Sequence, residues 1–567
     1  GPFVLPAAPH GASPSDHVWY PATRVQQGMW VLDRDELLRP TQLVPTVVEF
    51  TGPVDHRALV SAVGRSLSRH PSLRARFRLD VKRRQVEYRT DGPPAEPGFL
   101  DAEAEGWTEE EVDNLVRALS AAPFDLAQDA PARAEIIRMG AERTLLALNV
   151  HHIIFDGVSR GMLLEDIRTL YRAAVDGVEP QLSTPPHPAS VVAERTPEEI
   201  AEQVAEVVDR LRGAPAEVQL PFPRTPIAGS TESLLGASLA TSLDPGTTAR
   251  VMAVAAQEGC TPFMVGVALL AATLARTGPQ RDFLIAFAWP GRDDPDTADV
   301  IGMFMTTVVL RVTVGPEDTW HDLLGDVRVS GMEAFVDSDV PLDAVSAALN
   351  PDRNALWPPL SPVLVNLDEA PRSVDLTPGT TGRLRPLDPM FVKYDLAAFV
   401  RLEDTPDGRR LALSLDYPVN VFDTGDVKDL LNALRHSAVD LATFPENPVL
   451  EESVRPTATA PAVDLDDPAA RLELVRSIWR EILDTDDVAD DVSFFESGGD
   501  SLLLVLLVER LGQVSGREVR TMDLFRSPTV SGQADLIAAA AEPAAAPAAG
   551  DRAALLAAAR TQGGAAR

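Results

Sequence analysis

The amino-acid sequence predicts a mixed α+β protein: two lobes of similar size followed by a small all-α domain. Three observations predict it. The chain has 567 residues, several times the length of one ordinary domain. Up to about residue 450, short β-branched stretches alternate with segments of helical apolar spacing, and this mixture occurs twice. Residues 471–540 carry helical spacing and no convincing strand, the pattern of a small helical bundle. Hydrophobic residues make up 45% and charged residues 24%, so a large core can form and wholesale disorder is excluded.

In the first lobe, Val44 to Phe50 is β-branched and reads as a strand. Val54 to Leu67 has helical spacing with Asp55 near its start. Arg74 to Phe77 and Gln85 to Arg89 read as further strands. Thr144 to Val150 (TLLALNV) is a strongly apolar strand, and Ser159 to Ala173 a helix. The proline cluster in Leu182 to Val192 stops helix and strand alike. In the second lobe, Phe283 to Ala288, Thr306 to Val314, Phe391 to Arg401 (FVKYDLAAFVR) and Arg410 to Asp416 read as strands. Gly246 to Gln257, Pro262 to Ala275 and Asp426 to Ala442 read as helices. Pro456 to Pro468 lacks any apolar period and reads as a linker. Leu472 to Leu483, Ser501 to Val514 and Val530 to Ala540 are the helices of the last domain. A Pro/Ala-rich tail begins at Glu542.

Charge and cysteine usage exclude several functions. There are 51 basic and 84 acidic residues, a formal charge of −33. A phosphate binder needs a basic face, so nucleic acid and anionic membrane surfaces are not expected partners. The last domain, with 13 acidic and 7 basic side chains, shares the bias. A lone cysteine, Cys260, permits no internal disulfide and no paired-cysteine zinc site. It reads as a small core residue in a reducing, cytoplasmic setting. No metal site is expected. The longest uncharged apolar run, Cys260 to Ala275, contains Pro262 and is too short to span a bilayer. Gly1-Pro2-Phe3 reads as a protease scar and not as a signal peptide.

Two segments carry chemistry. Residues Asn149 to Ser159 read NVHHIIFDGVS: an apolar strand delivers His151 and His152, then an Asp-Gly turn opens a helix. Neighbouring strand residues face opposite ways, so only one histidine can point into a given cleft, and the other points into the core or toward the backbone. Gly157 admits a positive φ or a close ligand approach. A neutral imidazole beside a helix N-terminus suits acyl transfer, taking a proton from an attacking amine or hydroxyl. No G-x-S-x-G elbow lies near, so a covalent acyl-enzyme is not expected. The second segment, Phe494 to Leu502 (FFESGGDSL), puts Ser501 at the start of an apolar helix, a favourable place for a phosphodiester. The plainer role for such a serine is an N-cap.

The first segment resembles the HHxxxDG signature of nonribosomal peptide synthetase condensation domains, complete at His151 to Gly157. The resemblance extends to other motifs of that family. Thr23 to Leu32 (TRVQQGMWVL) is similar to its opening motif, and Arg69 to Phe77 (RHPSLRARF) to its second, with Pro71 replacing the usual acidic residue. Ile301 to Thr307 (IGMFMTT), with Arg311, is similar to its second-lobe strand motif, with Thr306 where Asn is common. Asp339 to Asp343 matches a later motif weakly, and Asp352 to Pro362 is degenerate. The second segment resembles the GGDS motif of peptidyl carrier domains.

The resemblance implies two chloramphenicol-acetyltransferase-like lobes in a V with a tunnel between them, then a four-helix carrier domain. Residues 15–182 and 183–450 would be the lobes, 451–470 a linker, 471–540 the carrier and 541–567 a flexible tail. The catalytic set would be His152, His151, Asp156 and Gly157. His152 would act either as general base or by positioning the amine and stabilising the tetrahedral intermediate. Asp156 would pair with Arg292 (Pro290-Gly291-Arg292) in a bidentate salt bridge that holds the turn. Ser501 would carry covalent 4′-phosphopantetheine added by a phosphopantetheinyl transferase, with Met522 and Phe525 contacting partner domains or lying in the bundle core. The implied partners are an upstream donor carrier, a downstream synthase module and, since no adenylation domain separates the two units, an adenylation enzyme loading the arm in trans. Heterocyclisation relatives carry aspartates where this chain has histidines, inactive recruiting relatives lose the second histidine or the glycine, and epimerisation domains usually follow their carrier. An amide-forming condensation–carrier didomain is the expectation; ester formation, product release or cyclisation, and a non-catalytic recruitment platform are its alternatives.

Overall fold

The apolar run at 144–150 forms the centre of a sheet. The protein is represented by a computed structural model that describes residues 18–191, 196–215, 217–225, 231–349, 361–368, 373–387, 390–450, 467–483, 488–494, 497, 503, 507–508, 510–511, 524 and 527–537. The central strand runs Arg143–His151 and pairs antiparallel with Leu43–Thr51 on one side and Ala132–Gly140 on the other. One face of this sheet, through Leu146, Leu148 and Val150, packs on the helices His56–Arg69 and Gly157–Asp176. The other face, through Leu145 and Ala147, packs on Val112 and Val116 of the helix Glu109–Ala121. Burial on both faces explains why this strand reads as a continuous apolar run and not as an alternation.

Among the described residues this sheet has five strands in the order Thr381–Arg385, Leu43–Thr51, Arg143–His151, Ala132–Gly140, Gly98–Asp101. Its outermost strand thus comes from far along the chain: Arg385 pairs with Val47 and Thr381 with Thr51. The second sheet has seven described strands, ordered Thr306–Thr313, Asp282–Trp289, Val363–Leu367, Leu396–Thr405, Gly408–Pro418, Leu235–Ser242, Met390–Phe391. A three-stranded sheet, Tyr20–Pro21, Gln85–Arg89 and Arg76–Asp80, completes the described strands.

One expected strand is in fact two. Phe391 to Arg401 divides into Met390–Phe391, on the sheet edge against Leu235 and Gly236, and Leu396–Thr405, inside the sheet. A single strand cannot occupy both places. The polar residues Lys393 and Asp395 lie in the connection, where Asp395 takes an ion pair from Arg224 at 2.8 Å.

The apolar run after Cys260 becomes the helix Pro262–Thr277, buried from Met264 to Ala275 inside the second lobe. Thr261 caps it and Pro262 occupies its first turn, where a missing N–H costs nothing. Cys260 is buried, its Sγ 3.2 Å from the Leu324 carbonyl oxygen, and burial pushes the thiol up to about 11. That is an inert core thiol, as its sequence context indicated. Among the described residues no single helix is long and apolar enough to cross a membrane, and no group of three potential ligands could hold a metal ion.

A second compact unit follows Leu450. Its described residues include the helices Pro468–Leu483 and Val530–Leu536 and a core of Val475, Ile478, Trp479, Phe494, Leu507, Leu511, Leu524 and Val530. Trp479 Nε1–H donates to Gln533 Oε1 at 2.8 Å, so its buried polar atom is satisfied.

Candidate active site

The Arg143–His151 strand ends where the signature begins. His152–Ile154 forms a short 3-10 turn, and Asp156 caps the helix Gly157–Asp176, its Oδ1 accepting from Ser159 N at 2.8 Å. Only His151 belongs to the strand, and His152 already sits in the 3-10 turn, so strand alternation does not set the direction of both rings. His151 is fully buried, and His152 is part-buried.

Their hydrogen bonds assign both tautomers. His151 Nδ1 accepts from Ile153 N at 3.1 Å, so its proton is on Nε2, which faces Asp33 Oδ1 at 3.2 Å. Burial holds His151 below the usual imidazole range, and the Asp33 carboxylate opposes this in part. His152 Nδ1 lies 2.7 Å from the Phe155 carbonyl oxygen. A carbonyl can only accept, so Nδ1 carries the proton and Nε2 presents a lone pair. Burial pushes His152 down to about 3, with the Lys393 ammonium adding to the effect. Lys393 is itself lowered to about 8 by burial. It was not legible as a site residue, because it sat inside an apparent strand. Its one signal was rarity: the chain has only Lys82, Lys393 and Lys428.

The expected Asp156–Arg292 pair is formed, with side chains 2% and 8% exposed. Its geometry differs from a two-nitrogen fork. Arg292 Nη2 alone reaches both carboxylate oxygens, each at 3.1 Å, and also Ser159 Oγ at 3.0 Å. Nη1 is occupied by the carbonyls of Thr297 and Val300. Asp156 Oδ2 accepts from Phe304 N at 3.2 Å, and Ser159 Oγ accepts from Gly302 N at 3.1 Å. The turn is thereby tied to the Ile301–Thr307 motif. The second motif also braces this region, His70 Nε2 lying 2.6 Å from Asp166 of the signature helix.

Arg292→Ala is expected to lower the stability of the larger unit by about 3–5 kcal/mol, since it leaves Asp156 buried and uncompensated. Denaturant unfolding of the variant against Asp156→Asn/Arg292→Ala checks this. The double variant should recover part of the loss, and no difference between the two would refute the charge-based account.

Gly157 does not use a positive φ. A side chain there would meet no atom within 4 Å. The glycine instead lines a cavity of about 330 Å³ with Arg160, Gly161 and Arg172 on its helix and residues 373–375 opposite. Ser501, with Gly498 to Leu502 around it, and Met522 and Phe525 lie outside the described residues. Phe494, before the attachment motif, and Leu507, after it, are buried in one core.

The strand end thus presents a neutral His152 held by the Phe155 carbonyl, next to a turn capped by Asp156 and tied to Arg292 and to the Ile301–Thr307 motif. Residues 17–462 match the condensation-domain family and residues 473–537 the phosphopantetheine attachment site family. The chain belongs to the condensation-domain family of nonribosomal peptide synthetases and continues into a carrier domain. Such a carrier bears 4′-phosphopantetheine covalently on a serine. The chain is 30% identical over 401 residues to the phosphinothricin tripeptide synthetase PhsC of Streptomyces viridochromogenes, covering 69% of this chain and 36% of that protein. It is 27% identical over 446 residues to an isonitrile lipopeptide synthase of Mycobacterium tuberculosis, covering 76% and 17%. It therefore spans only a minor part of the length of these curated relatives. In fold it is similar to the first condensation domain of the calcium-dependent antibiotic synthetase, with a TM-score of 0.64 at 22% identity over 76% of this chain and 98% of that one. The X-domain from teicoplanin biosynthesis is similar in the same way, at 0.66 and 22% over 78% and 99%.

Proposed function

We propose that this chain transfers an acyl or peptidyl group from an upstream carrier thioester to a nucleophile held on its own carrier, forming an amide. The observation that carries this reading is the pinned ring of His152, whose Nε2 lone pair faces away from the Phe155 hydrogen bond. The arm on Ser501 would supply the thiol that holds the substrate. His152 would do the chain's part: its Nε2 accepts a hydrogen bond from the amine and orients the attack. With its pKa near 3, the ring is a weak base, which favours positioning over prior deprotonation. The thioester is already activated, so alignment supplies much of the rate. Asp156 and Arg292 hold the turn, and Gly157 leaves the adjacent cavity open.

The proposed partners are an upstream donor carrier, a phosphopantetheinyl transferase, an adenylation enzyme acting in trans and a downstream module, all in the cytoplasm. The testing experiment is a transfer assay. The chain is modified with coenzyme A and a phosphopantetheinyl transferase, loaded with an aminoacyl group and mixed with an acyl-loaded donor carrier; intact mass then reads the product on this chain. Transfer supports the condensation reading. Loading without transfer would favour a recruitment platform, and product lost from the chain would favour release or cyclisation.

The single-turnover rate should show no acid limb at the ordinary histidine pKa of about 6.5. The neutral ring persists until the pH approaches about 3. Stability behaves differently. The unfolded chain takes up a proton near 6.5 that the folded ring refuses, so this group's contribution falls as pH drops from about 6.5 toward 3. A rate inflection at 6.5 would refute the buried neutral acceptor.

A further inference from the structure

The helix Arg24–Leu32 touches the signature turn at both of its ends. At its N-terminus, Thr23 and Gln26 form a capping box: Thr23 Oγ1 accepts from Gln26 N at 3.2 Å, and Gln26 Oε1 accepts from Thr23 N at 3.0 Å. This fixes which way the Gln26 amide points. Its Nε2 then donates to the Ile153 carbonyl oxygen at 3.0 Å in a buried bond between positions 127 residues apart. At the C-terminus, Asp33 is the capping residue and is itself buried. Its carboxylate accepts from His151 Nε2, and Arg39 Nε stands 3.7 Å from the same oxygen while donating to the Asp33 backbone carbonyl at 2.7 Å. His151 Nδ1 accepts from Ile153 N.

Ile153 therefore has both backbone polar groups held by side chains, Gln26 on its carbonyl and His151 on its N–H. His152 is the residue immediately before it, and its ring is pinned by Phe155 just after it. We infer that Asp33 and Gln26 are positioning residues: a brace that fixes the tautomer of His151 and the backbone of Ile153, and through them the direction of His152 Nε2. This rests on the reading of His152 as the group that meets the nucleophile. Asp33 touches neither that nucleophile nor His152. Its effect passes through His151, as an orienting carboxylate acts through a ring nitrogen.

The test uses the full, phosphopantetheinylated chain. Asp33→Ala is expected to lower kcat by about 10–100-fold, the usual range for groups that orient a functional ring, with the KM for the loaded donor carrier unchanged. Asp33→Asn keeps a carbonyl oxygen where His151 needs an acceptor and should restore most of the turnover. Gln26→Glu retains the oxygen of the capping box but replaces the donor to Ile153, and should behave as Asp33→Ala. Ring nitrogen resonances of labelled histidines supply a readout independent of turnover. In the native chain one histidine of this pair should carry its proton on Nε2 and the other on Nδ1, and Asp33→Ala should shift both. Unchanged turnover in Asp33→Ala, an equal loss in Asp33→Asn, or His152 resonances that do not move would overturn the brace. Full turnover in His152→Ala would instead remove the functional reading beneath it, so the two failures are told apart.

Discussion

Ser501→Ala is expected to abolish product formation altogether, because it removes the proposed attachment point of the arm. The native chain should gain the mass of one phosphopantetheinyl group on treatment with coenzyme A and a phosphopantetheinyl transferase, and the variant should gain none. The expectation rests on the motif Gly498-Gly499-Asp500-Ser501, which the sequence reads as opening an apolar helix, a setting that favours a phosphodiester. It also follows from the match of residues 473–537 to a phosphopantetheine attachment family. Folding should be indifferent to the change, since the core of that unit is built from Trp479, Phe494, Leu507 and Leu511. No gain in the native chain, or a gain that survives in Ser501→Ala, would refute the assignment.

His152→Ala is the second large effect. With both carriers loaded, transfer should slow by about a hundredfold, the lower part of the range for a positioned proton-accepting group. The lower part is expected because alignment of a pre-activated thioester persists without the ring. The loss should fall on kcat and not on the KM for the donor carrier, since the Nε2 contact strengthens as the amine attacks. The ring is part-buried and its hydrogen bond is to Phe155 within the same turn, so the variant should fold normally. Unimpaired transfer would leave the fold serving as a platform.

Much of the frame was legible in sequence because it depends on neighbours along the chain. The strand at 144–150, the helix after Pro262 and the capped helix after Asp156 appear within a few residues of their expected bounds. A period of two, a period of 3.6 and a capping residue are local properties. The pair Asp156–Arg292 was anticipated through the family resemblance, but the sharing of Nη2 between both oxygens was not. That detail follows from the carbonyls of Thr297 and Val300, which occupy the other terminal nitrogen. The strand Thr381–Arg385 was missed because its pairing partner lies over 300 residues earlier in the chain.

The sequence by itself determined the class: an intact HHxxxDG turn, a GGDS motif, an acidic chain and an inert lone cysteine. Only the tertiary structure decided how the histidines are protonated and which groups hold them. His151 turns its Nε2 proton toward Asp33, 118 positions away, and His152 owes part of its low basicity to Lys393 in the other half of the chain. The bonds of Ile153 and Phe155 to the two rings are local to the motif, but desolvation and partners from distant segments are properties of a folded neighbourhood that no motif spacing encodes.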